Sequence, residues 1–317
     1  MITPQDKQKV REALALGGDI VLISEPGSDE CRLLDADDGF FAVPWLCGFA
    51  DGVRIDCPPL WRESTPKEYY LQSVENLIDE LTQTGGKTVI SRTICGTNRV
   101  DAVAAAEQYF AANVSAFCCL LSLRGVGTWL IATPELLLQS DGANFSTMAL
   151  AGTRAVNADG DWSEKNIAEQ CMVADFITDV CSSYNISVCT DGPFTRQANR
   201  VEHLCTMISG RLTEGATFRE VASRLSPTPA LCGLPRDVSC RRIAAIERHQ
   251  RQLYGGFVGW GNGAESRAYV VLRCARIESD GWCVYAGGGI TAQSDADDEW
   301  RETELKSAAL VEILKNN

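Results

Sequence analysis

Between Trp162 and Val180 the apolar residues recur at helical spacing: Met172 and Val173, then Phe176 and Ile177, then Val180. That pattern predicts an amphipathic helix. One turn back along the stripe stands Glu169, a carboxylate on the face that should meet the core. Helices are predicted over about 67–84, 100–112, 163–183, 198–209, 216–225, 236–249 and 296–315. The opening stretch "MITPQDKQKVREALALGGDIVLIS" reads as helical and then strand-like. Short apolar runs, "KTVISRTI" (87–94), "AFCCLLSL" (116–123) and "GTWLIAT" (127–133), read as strands. "PELLLQSDGANFSTMALAG" predicts a hairpin turning at Asp141-Gly142, and "YVVLRCARIESDGWCVYAGGGI" another at Asp280-Gly281. Hairpins separated by helices predict an α+β fold with large antiparallel sheets and helices packed around them. With no internal repeat or low-complexity linker, 1–317 is read as a single domain, 1–65 its N-terminal portion and 66–317 its core.

A chain of 317 residues with 45% hydrophobic content can bury a large core. Its formal net charge of -13 is spread along the sequence. A nucleic-acid or anionic-membrane surface would need a basic patch, so neither partner is expected. No apolar run reaches the length of a transmembrane helix. The fourteen cysteines include no C-x-x-C pair, and no secretory pattern opens the chain. They are read as reduced, mostly buried small residues of a cytoplasmic protein. The two histidines, His203 and His249, exclude a His-rich metal centre.

A second carboxylate group opens the last predicted helix, "SDADDEWRETELKSAALVEIL". Its acidic first turn suits a helix N-terminus. Glu302, Leu305, Ala309 and Ile313 share one face, with Glu299 one turn before Glu302 and Lys306 one turn after. One reading is a solvated face with an i,i+4 Glu302–Lys306 pair. The other is that Glu302, on an apolar stripe like Glu169, joins it on a hard cation such as Mg²⁺, which would justify burying both.

Several stretches together resemble the chorismate-utilising enzymes, a family that includes isochorismate, salicylate, anthranilate and aminodeoxychorismate synthases. They are "PELLLQSDGANFSTMALAGTR", "SEKNIAEQCMVADFI", "LSPTPALCGLPRD", "YGGFVGWGN", "VVLRCARI", "YAGGGI" and "DDEWRETELK". The match runs in order from about Lys87 to Lys306. The resemblance implies the chorismate-binding fold and Mg²⁺ held by Glu169 and Glu302, with Glu299 beside them, gripping the ring carboxylate of chorismate. It implies Arg273 and Gly287 on the enolpyruvyl carboxylate, with Tyr254 alongside. Gly152 and Thr153 would line the ring-carboxylate region, Ala230 and Leu231 the substrate pocket, and Lys306 would add positive charge near the metal. An arginine grips a carboxylate with two parallel donors, and a metal neutralises the remaining charge of a dianionic substrate.

Two positions narrow the resemblance. Members that add water carry lysine in the strand that here begins "KTVISR", at Lys87; ammonia-using anthranilate synthases typically carry glutamine there. Aminodeoxychorismate synthases carry a ring-attacking lysine where this chain has Ala151. The combination is similar to isochorismate and salicylate synthases, whose general acid matches Glu135. The implied reaction is a displacement across the ring. Lys87, neutral when substrate binds, takes a proton from water attacking C2, and Glu135, protonated, donates to the departing C4 hydroxyl. Neighbouring cations lower a lysine's pKa and an apolar pocket raises a carboxyl's. The expectation is a monomeric isochorismate synthase with no amidotransferase partner, serving menaquinone or siderophore biosynthesis. The alternatives are a salicylate synthase, which also eliminates pyruvate, and a non-catalytic chorismate binder. The chain departs from its relatives at Ser226, where they carry an active-site-wall histidine in "L-H-P-T-P". It departs again at Asn166, Ile167, Ala168 and Gln170, where they read "E-K-D-R-H-E-H".

Overall fold

The structure, a computed structural model, describes residues 1–35, 38–45, 59–156, 160–198, 201–261 and 264–317. The chain opens with α1 (Pro4–Leu16), β1 (Ile20–Ser24), β2 (Arg32–Leu33), β3 (Phe41–Val43) and α2 (Lys67–Thr84). Next come β4 (Lys87–Gly96), α3 (Ala102–Ala112), β5 (Phe117–Leu123), β6 (Gly127–Thr133), β7 (Leu136–Asp141) and β8 (Asn144–Ala155). Then follow α4 (Glu164–Ser183), β9 (Val188–Ala198), β10 (Val201–Arg211), α5 (Phe218–Leu225), β11 (Gly233–Leu234) and α6 (Arg236–Ile246). The chain ends with β12 (Phe257–Gly261), β13 (Glu265–Val270), β14 (Cys274–Glu278), β15 (Gly281–Ile290) and α7 (Ala296–Asn316).

The strands form two antiparallel sheets, ordered β11-β4-β15-β14-β6-β5-β1-β2 and β3-β12-β13-β7-β8-β10-β9. The sheets pack face to face between two helical layers. In β5, Phe117, Cys119 and Leu121 point into the core between the sheets, where they meet Val258 and Tyr269. Cys118 and Leu120 point the other way, against Val10, Val103, Phe110 and Leu310 of the first sheet's helices. The second sheet's outer face is covered by Ile177 and Cys181 of α4 and Val221 and Leu225 of α5. A strand buried on both faces reads as a continuous apolar run, which is why "FCCLLSL" does not alternate.

The α+β architecture and both hairpins follow the pattern. β7 and β8 pair through Asp141↔Asn144, and β14 and β15 through Glu278↔Gly281. Of the helix predicted over 198–209, residues 201–209 belong instead to β10, paired on both sides with β8 and β9, and residue 198 ends β9; residues 199 and 200 lie outside the described residues. Val201, Leu204, Cys205 and Ile208 stand at i, i+3, i+4 and i+7, the spacing of an amphipathic helix. Here that spacing is accidental: Leu204, Cys205, Thr206 and Ile208 are all buried because both faces of a central strand are covered. The helix predicted to 249 stops at Ile246, with Glu247 extended.

Eleven described cysteines are free, six of them in the strands or helices of the core. Burial pushes the Cys118 thiol up to about 12, so it behaves as an inert small hydrophobe. Cys240 differs from the all-reduced reading: it is disulfide-bonded. Among the described residues no helix is long and apolar enough to cross a membrane.

A buried ion pair in the segment after α6 ties it to β4 and to the stretch before β11. Arg251 donates from Nη2 to Glu247 at 2.6 Å and to the Val89 carbonyl at 2.7 Å, and from Nη1 to the Leu231 carbonyl at 2.7 Å. Glu247 also accepts from the Ser91 N–H at 2.6 Å. Burial pushes the Glu247 carboxyl up, but the charge and hydrogen bonds of Arg251 outweigh it and hold it below the usual carboxylate range. Its contribution to stability is therefore full above the unfolded value of about 4.3 and is lost as the pH falls through the lower folded value. Glu247→Gln is expected to cost about 3–5 kcal/mol at pH 7, because it leaves the Arg251 charge buried and uncompensated. Urea unfolding at pH 7 and at acid pH checks both statements. Equal midpoints for the variant and the native chain at pH 7 would contradict them.

Candidate active site

Two of the points where the chain passes from one sheet to the other carry a polar residue into one cavity. At the first, β6 of one sheet leads through Pro134 and Glu135 into β7 of the other. At the second, β13 leads through Val271, Leu272 and Arg273 into β14. The crossings lie side by side, the Val270 N–H donating to the Glu135 carbonyl at 3.1 Å. They bound a cavity of about 590 Å³ with β4 and β15 on one side, β8, β10 and α4 on another, and α7 at its mouth.

Lys87, the first residue of β4, reaches across β15. A Cβ on Gly289 would stand 2.4 Å from its Cε. A Cβ on Gly287 would stand 2.7 Å from the Tyr254 hydroxyl, and one on Gly288 2.6 Å from Glu299 Oε2. "GGG" in β15 is therefore not a phosphate loop; each missing side chain makes room for one polar group of the cavity. Tyr254 stacks on Tyr285, with centroids 5.7 Å apart.

Glu135 faces the same cavity from the crossing between β6 and β7 and accepts from Thr228 Oγ1 at 3.4 Å. Burial pushes its carboxyl up to about 7, against the Thr228 hydrogen bond and the charge of Lys87, which both pull it down. It is thus poised between acid and base at neutral pH.

Three carboxylates stand at the mouth: Glu169 on α4 and Glu299 and Glu302 on α7. Of the two readings of α7, the solvated face with a Glu302–Lys306 pair is the one observed. The buried face of α4 runs Gln170–Ile177–Cys181, so Glu169 lies at its edge, half-buried, and Met172 is 39% exposed. The buried face of α7 runs Trp300–Thr303–Ser307–Leu310–Leu314. Leu305 is 80% exposed. Glu302 therefore shares a solvent-facing side with it rather than an apolar stripe, and pairs with Lys306 at 2.5 Å. The buried charge is on Glu299. Its Oε1 accepts from Ser294 Oγ at 2.8 Å, while its Oε2 is buried without a hydrogen-bond partner. Burial, with Glu302 nearby, pushes the Glu299 carboxyl up. An orphaned carboxylate oxygen among two further carboxylates is what a hard cation would satisfy, so the donor set fits Mg²⁺. Among the described residues no three acidic, imidazole or thiol side chains are gathered into a ligand shell, so the shell is not preassembled.

The remaining expected positions line the same cavity: Gly152, Ala230, Leu231, Tyr254, Arg273, Gly287 and Lys306. Lys306 Nζ donates to the Gly287 carbonyl at 3.0 Å. Arg273 is exposed to the cavity and makes no ion pair among the described residues. Gly152 has φ +70, the left-handed region that favours glycine, and a Cβ there would stand 3.1 Å from Asn166. The Thr153 side chain lies outside the described residues.

One wall residue was missed. His203, on β10, lines the cavity, and its Nδ1 lies 2.9 Å from the Gly152 carbonyl. A carbonyl only accepts, so the proton of that bond is on Nδ1. Ser226, at the position of the relatives' histidine, does not line the cavity; it caps α5, and its carbonyl accepts from Arg236. The wall thus has an imidazole, from a strand that the helical spacing of 201–208 concealed. Asp295 and Asp298 also reach the mouth, having been read only as helix-terminal acids.

Comparison with known proteins identifies the family. The family model described as "Chorismate binding enzyme" matches residues 58–315. The chain belongs to the chorismate-binding enzyme family. It is similar to isochorismate synthase EntC of Escherichia coli strain K12, 30% identical over 273 residues, which cover 80% of this chain and 69% of EntC. It is also similar to the chloroplastic isochorismate synthase of Catharanthus roseus, 30% identical over 259 residues, 77% of this chain and 44% of that protein. Among solved structures, MenF, the menaquinone-specific isochorismate synthase of Escherichia coli, superposes with a TM-score of 0.71 at 28% identity. That superposition covers 81% of this chain and 64% of MenF.

Proposed function

We propose that the chain is an isochorismate synthase, converting chorismate to isochorismate, with residues 1–317 acting as one cytoplasmic catalytic domain. The observation that carries this reading is the presence of Lys87 and Glu135 in one cavity. Lys87 opens β4, Glu135 stands at the crossing from β6 to β7, and burial pushes the carboxyl up to about 7. A lysine and a protonatable carboxyl in one cavity suit a displacement in which one face of a ring gains water while hydroxide leaves another.

Lys87 accepts a proton from the attacking water as its oxygen bonds to C2. The ring double bonds shift, the C4–O bond breaks, and Glu135 protonates the departing hydroxyl. One water enters and one leaves, so the reaction is an isomerisation. Arg273 grips the enolpyruvyl carboxylate, with Gly287 and Tyr254 beside it. Gly152, Thr153, Ala230 and Leu231 line the rest of the substrate pocket, and Lys306 adds charge near the carboxylates. Glu169, Glu299 and Glu302 would hold Mg²⁺, which supplies counter-charge for the ring carboxylate.

Incubation with chorismate and Mg²⁺, followed by chromatography, tests the reading. Isochorismate is the expected product; salicylate, or unchanged chorismate, would overturn it. Ammonium salts should give neither anthranilate nor aminodeoxychorismate, because Lys87 stands where ammonia-using relatives carry glutamine. Excess chelator should abolish turnover, since Glu299 Oε2 has no other partner. Full turnover in chelator would overturn the metal assignment.

A further inference from the structure

Arg273 has φ +42, a conformation in which the structure otherwise holds, among described non-glycine residues, only Asn185 and Gln252. Arginine gains nothing there; the left-handed region crowds Cβ against the backbone. The residue stands where the chain leaves β13 of one sheet for β14 of the other. Tyr269 and Val271 before it and Cys274 after it belong to the core between the two sheets, whereas Arg273 lines the cavity.

The carbonyl of this residue is held from outside the cavity. It accepts from the Tyr109 hydroxyl at 2.9 Å and from the Ala132 N–H at 3.3 Å. Tyr109 is buried, projecting from α3 into the layer between that helix and the first sheet. The orientation of a carbonyl is fixed by the ψ of its own residue, so the hydroxyl favours the backbone state that aims the side chain. We propose that Tyr109 is a positioning residue for Arg273, holding its backbone in the left-handed conformation that presents the guanidinium to a substrate carboxylate. The inference rests on the proposed role of Arg273, and it extends the site to a residue that never meets substrate.

The test is a double-mutant cycle with Y109F, R273A and the double variant, reading KM and kcat for chorismate and the thermal midpoint. Y109F removes one oxygen and keeps the buried ring. It is expected to raise KM by about fivefold, the worth of one hydrogen bond, with kcat unchanged. In the R273A background it should leave KM unaltered, because there is no guanidinium to aim. Equal KM increases in both backgrounds, or a lowered midpoint with unchanged KM, would overturn the positioning role alone. If R273A itself leaves KM unchanged, the carboxylate assignment falls and the inference falls with it.

Discussion

Replacing Glu135 with glutamine is expected to lower kcat by about 10²–10⁴-fold, the usual worth of a general acid, while leaving KM within a few fold. Glutamine keeps the shape and the Thr228 contact but has no proton to give. The direction of the pH dependence follows from the raised carboxyl. Glu135 is the proton donor, so it must be protonated in the free enzyme. With its pKa pushed up to about 7, the Glu135 factor in kcat/KM should be full below that value and lost as the pH rises through it, set against the opposite requirement that the base, Lys87, be neutral. In the E135Q variant this limb should be absent from whatever activity remains. A residual activity that keeps the same limb would mean that another group titrates there.

The second large effect is expected at Lys87. Lys87→Ala removes the acceptor for the proton of water, and kcat should again fall by about 10²–10⁴-fold. Gly289 opposes the lysine stem, so the truncation leaves space rather than a clash, and folding checked by circular dichroism should be unchanged. Substrate binding should persist, since Arg273 and the cation site are untouched. Arg273→Ala has the opposite signature: KM rises, equivalent to about 2–5 kcal/mol for a buried charge left unpaired, and kcat changes little. Near-native kcat in Lys87→Ala would remove the base from the mechanism.

The legibility of these features in sequence varied with their physical origin. The hairpins were readable because their turns carry Asp-Gly and their registers follow directly from the turn. β10 was not, because a strand covered on both faces has no alternation, and its apolar residues fell by chance at helical spacing. With that strand went His203. The carboxylates were seen, and the solvent-facing Glu302–Lys306 pair was one of the two readings; what the spacing did not mark is Glu299, which carries the orphaned oxygen. Side-chain spacing along one helix cannot say which face a neighbouring strand covers. Arg273 has φ +42 at a crossing between sheets, where strand alternation offers no guide to its direction. Glu135 and Arg273 stand at sheet crossings, where periodicity ends, and only the resemblance to a family marked them.

In the proposed reaction the incoming oxygen comes from solvent and the outgoing one is the C4 hydroxyl. Initial-rate turnover of chorismate in ¹⁸O-labelled water, with mass analysis of the isochorismate formed, distinguishes the two oxygens. The first isochorismate formed is expected to carry one solvent oxygen, at C2. Unlabelled isochorismate would mean that the original hydroxyl migrates within the substrate, and would contradict water activation by Lys87.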